Sequence, residues 1–435
     1  MKKKNSFIGL LPLVFFLVIY MGTGILSGEF SGMPLLLGFI FASGFALLLD
    51  KPGEKTSLDD KLDIFSKAGG EPTIILMVVI FMLAGAFYSI ADAMGAVNSI
   101  VNLGLSVLPT NALLPGIFII GAVLSFSMGT SMGTITALAP IGVGIAEQTG
   151  INVALVMGTV VGSAMFGDNL SFISDTTIAA IRTQGVGPRD KFKANGLIVL
   201  PAVICTLVIL SFLSTGNAQI GTYDYELVRI VPYIVIIGTA LLGWNVMTVL
   251  GSGIAVGSAI GLIKGDFGAV ELFGFLQRGM EWMQDLAMIA IIVGGVVGLM
   301  NYYGGIDYLL EKVNAKIKSK KGAEFGMVIL VSLLDVATTN NTISIITAGP
   351  LAKEMGEKYD IDPRRTAGLL DIFSSAFQGI IPYGGQLLLA AGIAKISPVE
   401  IVPYSIYSFL MIVFGVLAIV TGIPKFKNSF KAENK

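Results

Sequence analysis

The chain has 435 residues, 54% hydrophobic and 13% charged, with a mean hydropathy of +0.82 and a formal net charge of −1. This balance excludes a soluble globular protein and a nucleic-acid binder, and places the chain among all-α polytopic membrane proteins. It contains no histidine, so any proton it carries rides on a carboxylate, lysine, tyrosine or water, and its single cysteine, Cys205, rules out an intrachain disulfide.

Lys2, Lys3 and Lys4 precede an apolar run from Phe7 to Leu26 with no cleavage-like site after it, which reads as an uncleaved first helix. Further apolar segments fall at 33–49, 73–91, 152–183, 194–213, 227–247, 248–263, 285–300, 366–397 and 401–424. The segments at 152–183 and 366–397 are long and interrupted by polar residues. Two other apolar pairs, 113–146 and 323–352, are each split by a polar cluster, and their limbs suit re-entrant hairpins. Stretches near 57–68 and 267–281 have the mixed pattern of interfacial amphipathic helices or solvated loops, and 96–112 and 306–322 read as loops.

An internal repeat underlies this order. A shift of 210 residues aligns Gly69 with Gly279, Glu71 with Glu281, Gly85 with Gly295, Gly95 with Gly305 and Pro140 with Pro350. With one inserted residue, Phe166 meets Phe377 and Asp175 meets Gln386. Each half, 1–220 and 221–435, then holds five spans and one hairpin. Five is odd, so the second half must be inserted upside down. Basic residues agree: all but Arg229, Lys264, Arg278 and Lys395 of the 28 fall in segments read as cytoplasmic, Lys191 among them. Repeat-related loops also differ, because 96–112 has no basic residue and 306–322 has several. Both termini are expected in the cytoplasm.

The chemistry sits in the four polar breaks. The run from Gly167 to Thr177 carries two carboxylates, an amide and four hydroxyls between apolar flanks. An aspartate at membrane depth costs roughly 2.5–3.5 kcal/mol, so Asp168 and Asp175 need a compensating partner, and a cation is one. The hairpin clusters offer Ser127, Thr130 and Ser131 in the first half and Asp335, Thr339, Asn340, Asn341 and Thr342 in the second, while the second interrupted helix offers Gln378 and Gln386. Unwound backbone adds carbonyls, and inverted repeats bring equivalent breaks together at mid-bilayer. Such hard oxygens suit Na+, for which Asp168, Asp175 and Asn340 are the candidate ligands. Asp371, one turn before the second break, reads either as a coupling acid or as a member of a buried ion pair.

The run Gly167-Asp168-Asn169-Leu170-Ser171-Phe172-Ile173-Ser174-Asp175-Thr176-Thr177 closely resembles the signature of the bacterial Na+/H+ antiporter family of C type. Residues 127–134 and 337–342 look like that family's two hairpin tips. The resemblance covers nearly the whole chain. It implies a secondary transporter of the ion transporter superfamily in a bacterial-type inner membrane, with Asp168, Asn169, Ser171, Ser174, Asp175 and Thr176 lining the ion or substrate site. Met132 and the pair Gln378 and Gln386 depart from the family pattern. Related branches carry amino acids or exchange malate for lactate. The expected function is therefore Na+/H+ exchange by alternating access, the alternative being Na+- or H+-coupled movement of an amino acid or small carboxylate. No cofactor beyond the coupling ion is expected, and a homodimer is left open. No HExxH, GxSxG or thiol pair points to an enzyme.

Overall fold

The computed structural model describes residues 6–27, 33–51, 53–107, 110–171, 174–214, 224–242, 244–314 and 317–426. The expected boundary between halves at 220/221, the terminal lysine clusters, Phe172, Ile173 and the side chain of Ser127 lie outside the described residues. The protein is all-α and polytopic. Among the described residues five helices are long and apolar enough to cross a membrane, or six if the bent pair Gly385–Ala394 and Pro398–Tyr404 counts as one span.

Two hairpins and two broken helices dominate the interior. In the first hairpin, Leu113–Met128 stops at Gly129, whose φ of 67° lets its N–H bond back to the Ser125 carbonyl, and Ser131–Thr149 returns. In the second, Lys320–Thr338 stops at Thr339, with φ 55°, and Asn341–Lys358 returns. The two left-handed caps are 210 residues apart, as are Thr130 and Asn340, both extended.

The first broken helix runs Val153–Leu170, unwinds, and restarts as Asp175–Gln184 with Ser174 accepting the Thr177 N–H. The second runs Pro363–Gln378 and restarts as Gly385–Ala394. Pro382 lies in this gap, where the lack of a backbone N–H prevents a continuous helix. At its break each helix passes from one hairpin to the other. Val153–Leu170 packs on the first hairpin, whereas Asp175–Gln184 packs on Asn341–Lys358 of the second. Pro363–Gln378 packs on the second hairpin, whereas Gly385–Ala394 packs on Ser131–Thr149 of the first. This exchange brings all four breaks to one place.

Around them, Leu58–Gly69 packs on Gln284–Tyr302, and Ala269–Glu281 packs on Pro72–Ala93. The contacts are reciprocal at glycines aligned by the 210-residue shift, Gly85 meeting Gly279 and Gly69 meeting the turn of Ile291 to Gly295.

Two segments read as loops are helical. Ala96–Val107 and Gly305–Asn314 are short amphipathic helices, with Val97 and Val101 buried in the first and Ile306 in the second. Their apolar residues recur at helical spacing, which an absence of long hydrophobic runs concealed. The expected interfacial segments are also helices, Leu58–Gly69 and Ala269–Glu281.

A side chain at the Gly85 crossing has no room: a Cβ there would lie 2.1 Å from the Gly279 carbonyl oxygen, and one at Gly279 would lie 2.2 Å from that of Gly85. Gly85→Ala and Gly279→Ala should each destabilise the purified protein by about 1–3 kcal/mol in thermal unfolding. Gly44→Ala, where a Cβ meets nothing within 4 Å, should not. Equal melting of all three variants would contradict backbone-to-backbone packing at this crossing.

Candidate functional site

Where the breaks converge they line an open cavity of about 410 Å³. Thr130 and Ser131 line it from the first hairpin, and Thr339, Asn340, Asn341 and Thr342 from the second. Asp168, Asp175 and Thr176 enter from the first broken helix, and Gln378 and Gln386 from the second. The remaining wall includes Leu76, Met77 and Ile80 and the turn at Trp244, Asn245 and Val246, none of which composition had singled out.

A chain of hydrogen bonds ties the four breaks together. Gln378 Nε2 donates to the Thr339 carbonyl at 3.2 Å and to Gln386 Oε1 at 2.6 Å. Gln386 Nε2 donates to Ser131 Oγ at 3.2 Å. Ser131 in turn lies beside the Asp168 carboxylate, to which Asn341 Nδ2 donates at 3.3 Å. Each hairpin tip thus reaches a side chain of a broken helix.

Asp168 is 4% exposed, and among the described residues no lysine or arginine forms an ion pair with its carboxylate. Its direct hydrogen-bond partners are neutral, and the Lys191 ammonium acts on it only across space, where burial penalises a charge by several kcal/mol. Asp175 differs: it is exposed in the first turn of its helix, where the helix dipole favours a negative charge. Asn340 spends its side-chain oxygen on the Ile343 N–H as an N-cap, so Asn341 is the amide that reaches Asp168.

Four of the expected site residues work behind the cavity wall. Asn169 donates to the Tyr407 hydroxyl at 3.0 Å and to the Met165 carbonyl. Ser171 ends the first half-helix, and its carbonyl accepts the Thr177 hydroxyl at 2.7 Å. Ser174 donates to the Asp168 carbonyl and caps the next half-helix. Asp335 is fully buried within the second hairpin, where Ser344 donates to it at 3.4 Å.

Lys191 corrects the sequence reading. It is no cytoplasmic loop anchor: it lies in helix Pro188–Leu213, is 1% exposed in its side chain, and pairs with Asp371 at 2.9 Å. Its ammonium also donates to the Asp168 carbonyl at 3.2 Å and to the Thr177 hydroxyl. One turn on, Asn195 donates to Asp371 Oδ2 at 2.8 Å and to the Asn169 carbonyl at 2.9 Å. The helix begins at Pro188, six residues before the apolar run that marks it in the sequence. The four-residue spacing of Lys191 and Asn195, which shares a helix face, was the signal available.

Among the described residues no group of three or more His, Cys, Asp or Glu side chains could hold a metal ion. The cavity instead offers carboxylate, amide, hydroxyl and carbonyl oxygens, a donor set for a hard cation.

The model of the Na+/H+ antiporter family matches residues 35–216 and 224–423. The chain belongs to that family. As a member it is a secondary transporter and not an enzyme, a multi-pass membrane protein whose family identity fits Na+ and/or H+ as the coupling ion. Similar proteins include the arginine/ornithine antiporter ArcD of Halobacterium salinarum, 23% identical over 99% of this chain and 94% of that one. The malate-2H+/Na+-lactate antiporter of Bacillus subtilis and the Na+/H+ antiporter NhaC of Alkalihalophilus pseudofirmus are each 24% identical, over 82% of this chain and 84% of their own.

The second hairpin tip stores strain that the first avoids. Thr339 is β-branched at φ 55°, where its counterpart is Gly129. A left-handed L-residue costs roughly 1–2 kcal/mol, partly offset by the entropy a glycine loses on folding. Thr339→Gly should therefore stabilise the protein by up to about 1 kcal/mol in thermal unfolding, and Gly129→Thr should destabilise it. A lower melting temperature for Thr339→Gly would show that the threonine side chain contributes more than its backbone costs.

Proposed function

We propose that this protein exchanges Na+ for H+ by alternating access, with the cation held at Asp168 where the two hairpin tips meet the two helix breaks. The observation that carries this is a buried carboxylate that forms no ion pair among the described residues and faces a cavity lined on one side by hydroxyl, carboxylate and amide groups. A transported cation supplies the missing charge. When a proton neutralises the carboxylate, Na+ loses its counter-charge and leaves, which makes the two ions competitors for one site. Ser131 and Thr176 supply further oxygens, while Asn341 turns its Nδ2 to the carboxylate and its oxygen to the Thr342 N–H. Asp175, exposed at a half-helix N-terminus, serves entry more than final coordination.

The halves 1–220 and 221–435 form two inverted repeats with both termini cytoplasmic. Supporting this are the matched left-handed caps at Gly129 and Thr339, the reciprocal helix crossings, and the uneven basic residues. The exchange of hairpins at each break makes these elements a unit that can move together against the surrounding helices.

A second reading has its own support. A cavity of about 410 Å³ far exceeds the roughly 30 Å³ share of one water, and so has room for a small organic solute beside the ion. Relatives named for arginine/ornithine and for malate and lactate exchange make an amino acid or small carboxylate the alternative cargo.

In proteoliposomes with an imposed Na+ gradient, Asp168→Asn should lower proton-coupled exchange at least tenfold, and Asp175→Asn should mainly weaken apparent Na+ affinity. In the wild type that affinity should fall as pH is lowered. Wild-type exchange by Asp168→Asn would remove the assignment. If an organic solute is co-transported with Na+, adding it should instead tighten Na+ binding, since coupling is reciprocal.

Topology has a separate test. In a Cys205→Ala background, Asn111→Cys should react with an impermeant maleimide on intact cells and Lys318→Cys should not. The opposite pattern would invert the orientation.

A further inference from the structure

The pair Lys191–Asp371 lies outside the cavity and is not needed to explain it, yet it joins both broken helices. Asp371 belongs to Pro363–Gln378, and the two other partners of Lys191, the Asp168 carbonyl and the Thr177 hydroxyl, flank the first break. All three donors of the ammonium are met by oxygens, and both charged side chains are buried. The Asp168 carbonyl is one of the last of helix Val153–Leu170, which among the described residues leaves it without a backbone partner and at the negative end of the helix dipole. Thr176 and Ser174 donate to the same carbonyl. A carboxylate, a hydroxyl and a carbonyl at a half-helix C-terminus are the kinds of oxygen that hold alkali cations inside membranes.

We propose that Lys191 is a tethered cation, its ammonium filling a second cation position at the first break that would otherwise bind Na+. This deepens the cation-site reading and rests on it only for the first ion, held at Asp168. The chain carries its second positive charge covalently, so the exchangeable cation at Asp168 is the only one it binds. The tether also couples the site to the second half, because the charge that satisfies the first break is balanced by Asp371 from the other broken helix.

Removal of the tether should create a Na+ site. The experiment counts 22Na+ bound per chain on full-length protein in detergent. It compares wild type, Lys191→Ala, and Lys191→Ala with Asp371→Asn. Wild type should bind one Na+, Lys191→Ala two, and the double variant one, because a neutral Asn no longer demands a cation. The increment tests this inference and the wild-type value tests the cavity reading. Binding of none by wild type and one by Lys191→Ala would uphold the tethered cation while overturning the site at Asp168. Equal binding by wild type and a folded Lys191→Ala would overturn the proposal.

Folding gives an independent readout. Lys191→Ala should elute as a single species in Na+ and aggregate in N-methyl-D-glucamine, with the double variant monodisperse in both. Aggregation of Lys191→Ala in Na+ as well, beside a folded double variant, would show that Lys191 only neutralises Asp371 and would overturn the proposal.

Discussion

Unwound backbone inside a membrane must find partners, and the carbonyls that end helix Val153–Leu170 are the groups on which this structure turns. The Asp168 carbonyl takes Ser174, Thr176 and Lys191, and the Asn169 carbonyl takes Asn195. Each unmet group would cost several kcal/mol in hydrocarbon. The break therefore cannot be moved or removed without changing four neighbours. Because its carbonyls are satisfied from behind, the Asp168 side chain is free to face the cavity, where its hydrogen-bond partners are neutral. Under the proposed function this divides the labour: backbone faces a fixed ammonium, and the carboxylate faces an exchangeable cation.

The same constraint explains why both hairpins end at matched points. A tip that stops at a left-handed cap leaves Ser131 or Asn341 in the first turn of the returning helix. Each then reaches a side chain on a broken helix. Gln386, opposite Asp175 in the repeat, and Gln378 complete the circuit without adding charge, Gln378 holding the Thr339 carbonyl and Gln386 holding Ser131. One half supplies the negative charge and the other supplies amides.

Much of this was legible in the sequence because breaks at membrane depth leave a local mark. The polar clusters at 127–134, 167–177, 337–342 and 378–386 stand out against apolar flanks, and eleven of the candidate residues they supplied line one cavity. What did not show was chemistry carried by a single residue on an apparently ordinary helix. Lys191 sits three residues past Pro188, among Arg189, Asp190 and Lys193, and looked like one more basic residue at a membrane edge. Its burial is a fact about Asp371, 180 residues away, which no local pattern reports. Nor could the sequence distinguish the cap at Asn340 from the contact made by Asn341, since both are asparagines in one turn.

The most direct measurement is crystallographic. Tl+ has the charge of Na+ and scatters anomalously, so a crystal soaked in a Tl+ salt marks where a monovalent cation rests. The expected result is one anomalous peak within coordination distance of the Asp168 carboxylate, between Ser131 and Asn341, reduced by competing Na+. A Na+-sensitive peak elsewhere in the protein, with none at Asp168, would contradict the convergence of the four breaks on a cation site.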